Sequence, residues 1–87
     1  MPVLVRHTAV GMDTATYDEV SPPLIEKLKQ QPGFLLHIAY QSGDDLIVGE
    51  LWESQQQHDT WFDANVAPNV PGEIRQEVIE IHNLVRP

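Results

Sequence analysis

The chain has 87 residues, no cysteine, 5 Lys or Arg and 13 Asp or Glu, which gives a formal net charge of -8. This length suits one compact domain and is too short for two, so we expect a single domain over residues 1–87. The absence of cysteine excludes disulfides and thiolate metal sites. The negative charge argues against nucleic acid and anionic membrane surfaces as partners.

Two further expectations follow from size and hydropathy. A domain this small buries a modest share of its surface, and a second copy of the chain is the simplest source of extra burial, so we expect a homodimer. No basic segment followed by an apolar run begins the sequence, and no apolar stretch approaches about 18 residues. We therefore expect a cytoplasmic protein with no membrane partner.

The first half of the chain reads as a strand, a helical region and a second strand. Residues 2–10 are rich in β-branched side chains, which favours a strand. Pro22 and Pro23 disfavour a helix interior, so we predict helices over 14–20 and 22–30, or one kinked rod. Pro32-Gly33 ends this region, and residues 34–40 form the next strand.

The second half again reads as a strand, a helix and a strand. Residues 46–53 form a strand that the turn-rich segment 41–45 joins to the one before it as a hairpin. Ser54 and Gln57 form a capping box, so a helix starts at residue 55. A last strand covers 76–85. The order β-α-β-β-α-β predicts an α+β, ferredoxin-like fold: a four-stranded antiparallel sheet with both helices on one face.

The hairpin turn also predicts which side chains share a face of the sheet. A tip at residues 43–44 places His37 opposite Glu50. The same count places Leu35 opposite Trp52. Alternation then collects a nearly all-apolar set on one face, which we expect to lie under the helices. This set comprises Phe34, Leu36, Ile38, Tyr40, Ile47, Gly49 and Leu51.

The opposite face combines ionisable and aromatic side chains. Grouped by polarity, it holds Arg6, Thr8, His37, Glu50, Trp52, Glu80 and His82. One face of an antiparallel sheet is often simply solvated. Here several apolar side chains share the face, among them Leu4, Leu35 and Leu84. A monomeric protein rarely exposes so much apolar surface to solvent. We therefore expect this face to meet its copy in a homodimer that encloses a pocket.

Three stretches of the chain resemble a known superfamily: PGFLLHIAY at 32–40, GELWESQQQHDTWFDANVAP at 49–68 and IEIHNLVRP at 79–87. Together they are similar to the dimeric α+β barrel superfamily, and most of all to its antibiotic biosynthesis monooxygenase type. The most distinctive part is a third strand that ends in an aromatic-Glu-Ser step into a capped helix. The resemblance extends over nearly the whole chain.

The resemblance implies a dimer in which two sheets pack face to face into a barrel. It also implies an oxygenase that uses no metal or flavin and acts on a small aromatic or polyketide-like substrate. Other members degrade haem with a pattern of Asn, Trp and His. Asn65 and Trp61 share a helix here, but no His completes that pattern. Trp61 stands where many members carry a His, which is a departure from the type.

The best catalytic pair is His37 with Glu50. A carboxylate beside an imidazole selects the ring's tautomer and favours its charged form, which suits a general base for a phenolic proton. The same two residues could equally be a cross-strand pair that satisfies two polar groups. Four residues are the expected substrate-binding lining of the pocket: Arg6, Trp52, Trp61 and His82.

Two other functions remain open from the sequence. The first is a dimeric domain that binds a small molecule or assists another protein without catalysis. The second is a metal enzyme that draws its ligands from His37, Glu50, Glu80 and His82. Metal ligands with such wide spacing would have to converge from separate strands, so we expect neither a metal nor another cofactor.

Overall fold

The computed structural model describes residues 2–87. Its strands and helices are β1 (Val3–Ala9), α1 (Thr14–Leu28), β2 (Phe34–Ser42), β3 (Asp45–Trp52), α2 (Gln55–Trp61) and β4 (Ile74–Glu80). The helix α2 continues into a short π-helical turn, Phe62–Val66. The strands form one antiparallel sheet in the order β2-β3-β1-β4. The predicted ferredoxin-like fold is confirmed.

The helix α1 is a single helix that contains Pro22 and Pro23. A proline lacks an amide hydrogen, so these two residues leave the carbonyl groups of Asp18 and Glu19 without their helical donors. Both Asp18 and Glu19 are exposed, and water can hydrate their carbonyl groups. The prolines are therefore tolerated without dividing the helix. The predicted division into two helices is therefore not observed, and one continuous helix covers Thr14–Leu28.

The start of α2 agrees with the predicted cap. The hydroxyl of Ser54 accepts a hydrogen bond from the backbone N–H of Gln57 and donates one to its side-chain carbonyl. The cap fixes the phase of the helix. His58 and Trp61 consequently face the sheet and are almost completely buried.

The last strand differs from its predicted bounds. β4 covers Ile74–Glu80, whereas the sequence predicted residues 76–85. Beyond Glu80 the backbone N–H of Ile81 still donates to the carbonyl oxygen of Pro2, and the pairing with β1 ends there. The apolar residues Leu84 and Val85 imitate a strand pattern but have no neighbouring strand to pair with, because β1 is only 7 residues long.

The register of the hairpin is close to the prediction. Ser42 pairs with Asp45 around the turn, and His37 pairs with Glu50. The predicted pairing of Leu35 with Trp52 is wrong, because Phe34 occupies that position. An irregularity between Phe34 and Leu36 shifts the start of β2 by one residue.

The assignment of the two faces was wrong for the hairpin. His37, Glu50 and Trp52 point toward the helices, not away from them. They share this face with Val3, Val5, His7 and Ala9 of β1, all of which are buried. Of the residues expected under the helices, Phe34 does lie there, because the irregularity at the start of β2 turns it toward Trp52 and the core. The others lie on the uncovered face instead, where Leu36, Ile38 and Tyr40 are about half exposed. Arg6 and Thr8 lie on that face as predicted, since they pair with Gly49 and Ile47.

The physical reason for the inversion is that polarity alone does not decide which face a helix covers. The helix face buries large apolar groups, with Val5 and Trp52 at 0% exposure, and satisfies its polar groups by internal hydrogen bonds. The core packs these two residues with Leu28 of α1 and Trp61 of α2. Among residues 2–87, no helix is both long enough and apolar enough to cross a membrane.

Candidate functional site

A cavity lies between the sheet and the helices, inside one chain. About 90 Å³ of it is open to the centre of a water-sized sphere, several times the ~10–15 Å³ that one water molecule needs. Most of its wall is apolar, including Leu24, Ile25, Leu28, Trp61, Phe62 and Val66. Its polar members are His7, Tyr17, Ser21, His37 and Glu50. The cavity lies on the opposite side of the sheet from the expected pocket, because the helices cover the face that carries His37 and Glu50.

A chain of hydrogen bonds crosses the floor of this cavity. The hydroxyl of Tyr17 lies 2.7 Å from Nε2 of His37, and Nδ1 of the same ring lies 2.8 Å from a carboxylate oxygen of Glu50. The other carboxylate oxygen accepts from the indole N–H of Trp52 at 3.1 Å. Three elements therefore contribute to one connected network: α1, β2 and β3.

The charge state of Glu50 determines which group donates and which accepts in each of these hydrogen bonds. Burial acts to raise the pKa of Glu50, but the hydrogen bond from His37, the electrostatic effect of nearby His7 and the hydrogen bond from Trp52 together outweigh it and hold that pKa below its usual value. An ionised Glu50 only accepts, so Nδ1 of His37 donates to it. The neutral ring then carries its lone pair on Nε2, where it accepts the hydrogen bond from Tyr17. Burial raises the pKa of Tyr17, which keeps its hydroxyl protonated.

A second polar group lies beside this chain. His7 of β1 and His58 of α2 face each other, with their Nε2 atoms 2.8 Å apart. Nδ1 of His7 lies 3.1 Å from the carbonyl oxygen of Val48, and Nδ1 of His58 lies 2.9 Å from the carboxylate of Asp59. Burial is the largest influence on His7 and lowers its pKa. These contacts account for every ring nitrogen of the pair.

The other residues predicted to line the pocket are scattered. Trp61 lines the cavity. Trp52 is fully buried behind Glu50 and packs edge-on against Phe34. Arg6 lies on the uncovered face, where its guanidinium is 4.0 Å from the carboxylate of Glu77.

The C-terminal segment does not contribute to the cavity. His82 is exposed and follows the end of β4. Glu80 lies on β4, at the opposite edge of the sheet from β2, which carries His37. The metal-ligand set considered from the sequence is therefore not brought together.

Three residues of the site are not evident from the sequence. Tyr17 carries no local signal, because nothing in the sequence pairs a residue of α1 with one particular residue of β2. His58 carries no sign of a functional role in the sequence, but it shares the apolar stripe of α2 with Trp61 and is fully buried. His7 has the strand parity of the core face and does lie there. Its contact with His58 requires the docking of α2 on β1, which local spacing does not encode.

Solved structures show what this fold resembles. Rv0793 from Mycobacterium tuberculosis superimposes with a TM-score of 0.73 at 15% sequence identity, covering 99% of this chain and 100% of that one. A monooxygenase from the gene ActVA-Orf6 of Streptomyces coelicolor, in complex with nanaomycin D, has a TM-score of 0.69 at 19% identity and covers 98% and 91% of the two chains.

A third structure is a variant of SnoaB, a cofactor-independent oxygenase from Streptomyces nogalater. Its TM-score is 0.69 at 12% identity, with 99% of this chain and 97% of that chain covered. No protein-family model matches the sequence, and no curated protein matches it significantly. The solved structures therefore show that the chain shares the ferredoxin-like fold of these proteins.

Proposed function

We propose that this protein is a monooxygenase that binds a small aromatic or polyketide-like molecule in the cavity between sheet and helices. The observation that carries the proposal is the hydrogen-bonded chain from buried Glu50 through His37 to Tyr17, which ends at the cavity. A base held in this way suits removal of a phenolic proton. The monooxygenase and oxygenase among the structural neighbours support the reaction class.

Each residue of the hydrogen-bonded network has a distinct role in this proposal. Glu50 holds the His37 ring in one tautomer and stabilises the charge that the ring gains on protonation. His37 is the general base. The hydroxyl of Tyr17 occupies the lone pair of His37, so a substrate proton reaches the ring through Tyr17. Trp52 lies behind Glu50 and orients the carboxylate as a positioning residue.

Deprotonation prepares an electron-rich ring for direct reaction with dioxygen. For a substrate with a methylene beside the ring, conversion to a carbonyl transfers four electrons to O₂. One oxygen atom enters the product, and the other leaves as water with the two hydrogens. The substrate supplies every electron, so this reaction needs no separate reductant.

The apolar wall suits a planar ligand. Trp61 and Phe62 line the cavity and offer aromatic surface for stacking. Arg6 and His82 lie outside this cavity, so within one chain they do not contact a ligand held there. We therefore propose Tyr17, Trp61 and Phe62 as the substrate contacts in place of Arg6, Trp52 and His82.

We also propose that the protein works as a homodimer through the uncovered face of the sheet. This face exposes Leu36, Ile38 and Tyr40 side by side, at 52%, 50% and 48%. Apolar surface of this kind is a usual interaction site. The site for the small molecule then lies within each chain, on the far side of the sheet from the partner.

Oxygen consumption tests the enzymatic proposal. Purified protein is mixed with a panel of anthrone-like and quinol compounds in an oxygen electrode, beside the His37→Ala variant. The wild type should consume oxygen about 10²–10⁴-fold faster with a substrate of the right shape, the range typical of a general base. Circular dichroism shows whether the variant is folded. Equal rates for the two folded proteins across the panel would reject the proposal.

The alternative function is binding without turnover. A cavity wall that contains Trp61 should report a bound aromatic compound through its fluorescence. Saturable quenching by a compound that causes no oxygen uptake would support a binding domain. Saturable quenching together with uptake that depends on His37 would support the enzyme.

A further inference from the structure

The rings of His7 and His58 face each other through their Nε2 atoms at hydrogen-bond distance. The two Nε2 atoms are 2.8 Å apart, and both side chains are nearly inaccessible, at 6% and 0% exposure. If both nitrogens carry lone pairs, these repel each other at this distance. A proton or a metal cation must then lie between the two nitrogens.

The outer contacts of the rings show that both Nε2 atoms carry lone pairs. The carbonyl oxygen of Val48 can only accept, so Nδ1 of His7 is its donor. The carboxylate of Asp59 likewise accepts from Nδ1 of His58. A neutral imidazole has one N–H, and in each ring it is already used. The two remaining lone pairs are therefore directed at the same point.

A carboxylate completes the arrangement. One ligand atom from each of His7, His58 and Glu50 lies within 4.8 Å of the others, and Glu50 is 5% exposed. Its oxygens accept from His37 and Trp52 but keep further lone pairs. The carboxylates of Glu50 and Asp59 together balance a charge of +2. Two imidazoles with one carboxylate are a usual ligand set for zinc and ferrous iron.

The surroundings of the rings also fit a metal site. Metal-bound histidines usually donate their second nitrogen to a carboxylate or a backbone carbonyl, as His58 and His7 do here. Phe62 stacks on both rings, with centroid distances of 5.5 and 5.7 Å. Nitrogens that share one metal at bonds of ~2.1 Å lie roughly 3.0–3.4 Å apart. A shift of a few tenths of an ångström brings the two rings to this spacing, and Glu50, whose ligand atom lies within 4.8 Å of theirs, must move toward them to complete the site.

We propose that His7, His58 and Glu50 form a binding site for a divalent transition-metal ion of the zinc and ferrous iron class. His7 and Glu50 line the cavity, so the proposed metal site adjoins the space assigned to the small molecule. The proposal goes beyond the function proposed above. Proton removal through Tyr17 and His37 does not require the ion, and metal binding does not require an oxygenase.

Cobalt titration of the full chain tests the site. After dialysis against a chelator, Co²⁺ should bind at one ion per chain and give visible absorption bands, which Zn²⁺ should then abolish. His58→Asn and His7→Asn should each weaken binding by at least about 100-fold, the upper end of the cost of losing an outer partner. Glu50→Gln removes the charge of the carboxylate ligand and should weaken binding by at least about tenfold. His82→Asn, which alters an exposed histidine, is the matched control and should bind like the wild type.

A measurement on the unmodified protein covers the case in which the variants do not fold. X-ray absorption of the zinc-loaded wild type should show two imidazole ligands and at least one oxygen ligand. The proposal is overturned if Co²⁺ does not bind stoichiometrically at micromolar concentration, if folded His58→Asn binds as tightly as the wild type, or if fewer than two imidazoles are found. In those cases a proton shared by the two rings occupies the space.

Discussion

Glu50 is the residue on which the candidate site depends. It is a buried carboxylate, and transferring such a charge out of water is costly unless donors surround it. His37 and Trp52 supply those donors from the same face of the sheet. Both donors follow from strand geometry: His37 is the cross-strand neighbour of Glu50, and Trp52 lies two residues further along β3. One buried charge thus fixes the orientation of an imidazole and of an indole.

Tyr17→Phe tests whether the hydroxyl of Tyr17 relays the proton or only covers the base. The substitution removes one oxygen atom and keeps the ring that stacks near His37. If the relay operates, oxygen uptake should fall about 10²-fold or more, close to the effect of His37→Ala. Steady-state rates in the oxygen electrode measure it, with Tyr40→Phe on the uncovered face as the matched control.

The contrary result is equally informative. If the hydroxyl only covers His37, its removal frees the lone pair, and Tyr17→Phe would react at least as fast as the wild type. That outcome would leave His37 as the base and remove Tyr17 from the proton path.

The sequence predicts part of this site because the hairpin is local. The turn at residues 43–44 determines that His37 lies opposite Glu50, so the pair follows from counting residues along two adjacent strands. Tyr17 reaches His37 across 20 positions in sequence, and His7 reaches His58 across 51. Such contacts depend on how α1 and α2 dock on the sheet, and no spacing rule encodes them.

At the level of the elements, capping residues determine where the helices begin. Asp13 precedes α1, and its carboxylate accepts a hydrogen bond of 2.8 Å from the backbone N–H of Thr16. Ser54 has the same role for α2. Both starts were predicted correctly because a cap is a local motif. The interior of α1 was harder to predict, since its two prolines are tolerated only because the affected carbonyls face water.

Asp13→Asn should reveal the pH dependence of the α1 cap. The hydrogen bond from Thr16 lowers the pKa of Asp13 below its unfolded value. A lowered pKa stabilises the fold above the unfolded pKa, and this contribution is lost as the pH falls through the folded pKa. The wild type should therefore be more stable than Asp13→Asn near pH 7, and the gap should close toward pH 3. Urea unfolding of both proteins across this range measures the gap.

Asparagine keeps the capping oxygen but cannot ionise, so the comparison isolates the charge. A gap that stays constant from pH 7 to pH 3 would contradict the assigned ionic cap. A gap that widens on acidification would mean that the pKa shift has the opposite sign.

The faces of the sheet could not be assigned from the sequence for a physical reason. Alternation along a strand separates two sets of side chains but does not say which set the helices cover. Both sets of the hairpin contain large apolar groups: Trp52 on one side, and Leu36 and Ile38 on the other. The helices cover the set that contains His37 and Glu50, and the more uniformly apolar set of β2 remains uncovered. The inverted assignment therefore moved the pocket to the wrong side of the sheet.

At the scale of the whole molecule, this uncovered set is the strongest indication of a partner. Adjacent exposed aliphatic and aromatic side chains on one face of a sheet are uncommon on the surface of a monomeric protein. A second copy offers the same apolar set, and two-fold symmetry lets each sheet cover the other. The dimer that we propose therefore uses a different set of residues from the one expected from the sequence, with Ile38 in place of His37.

Ile38→Lys should therefore dissociate the dimer. The side chain is 50% exposed in the single chain, and two-fold symmetry brings two copies of the new charge into one interface. Desolvation and repulsion of these charges should weaken self-association by at least about 100-fold. Analytical ultracentrifugation should show the wild type near twice 9.8 kDa and the variant near 9.8 kDa. Ala15→Lys adds the same charge on the exposed side of α1 and should remain dimeric. A wild type that sediments as a monomer at tens of micromolar, or a variant that stays dimeric, would show that the apolar face has another purpose.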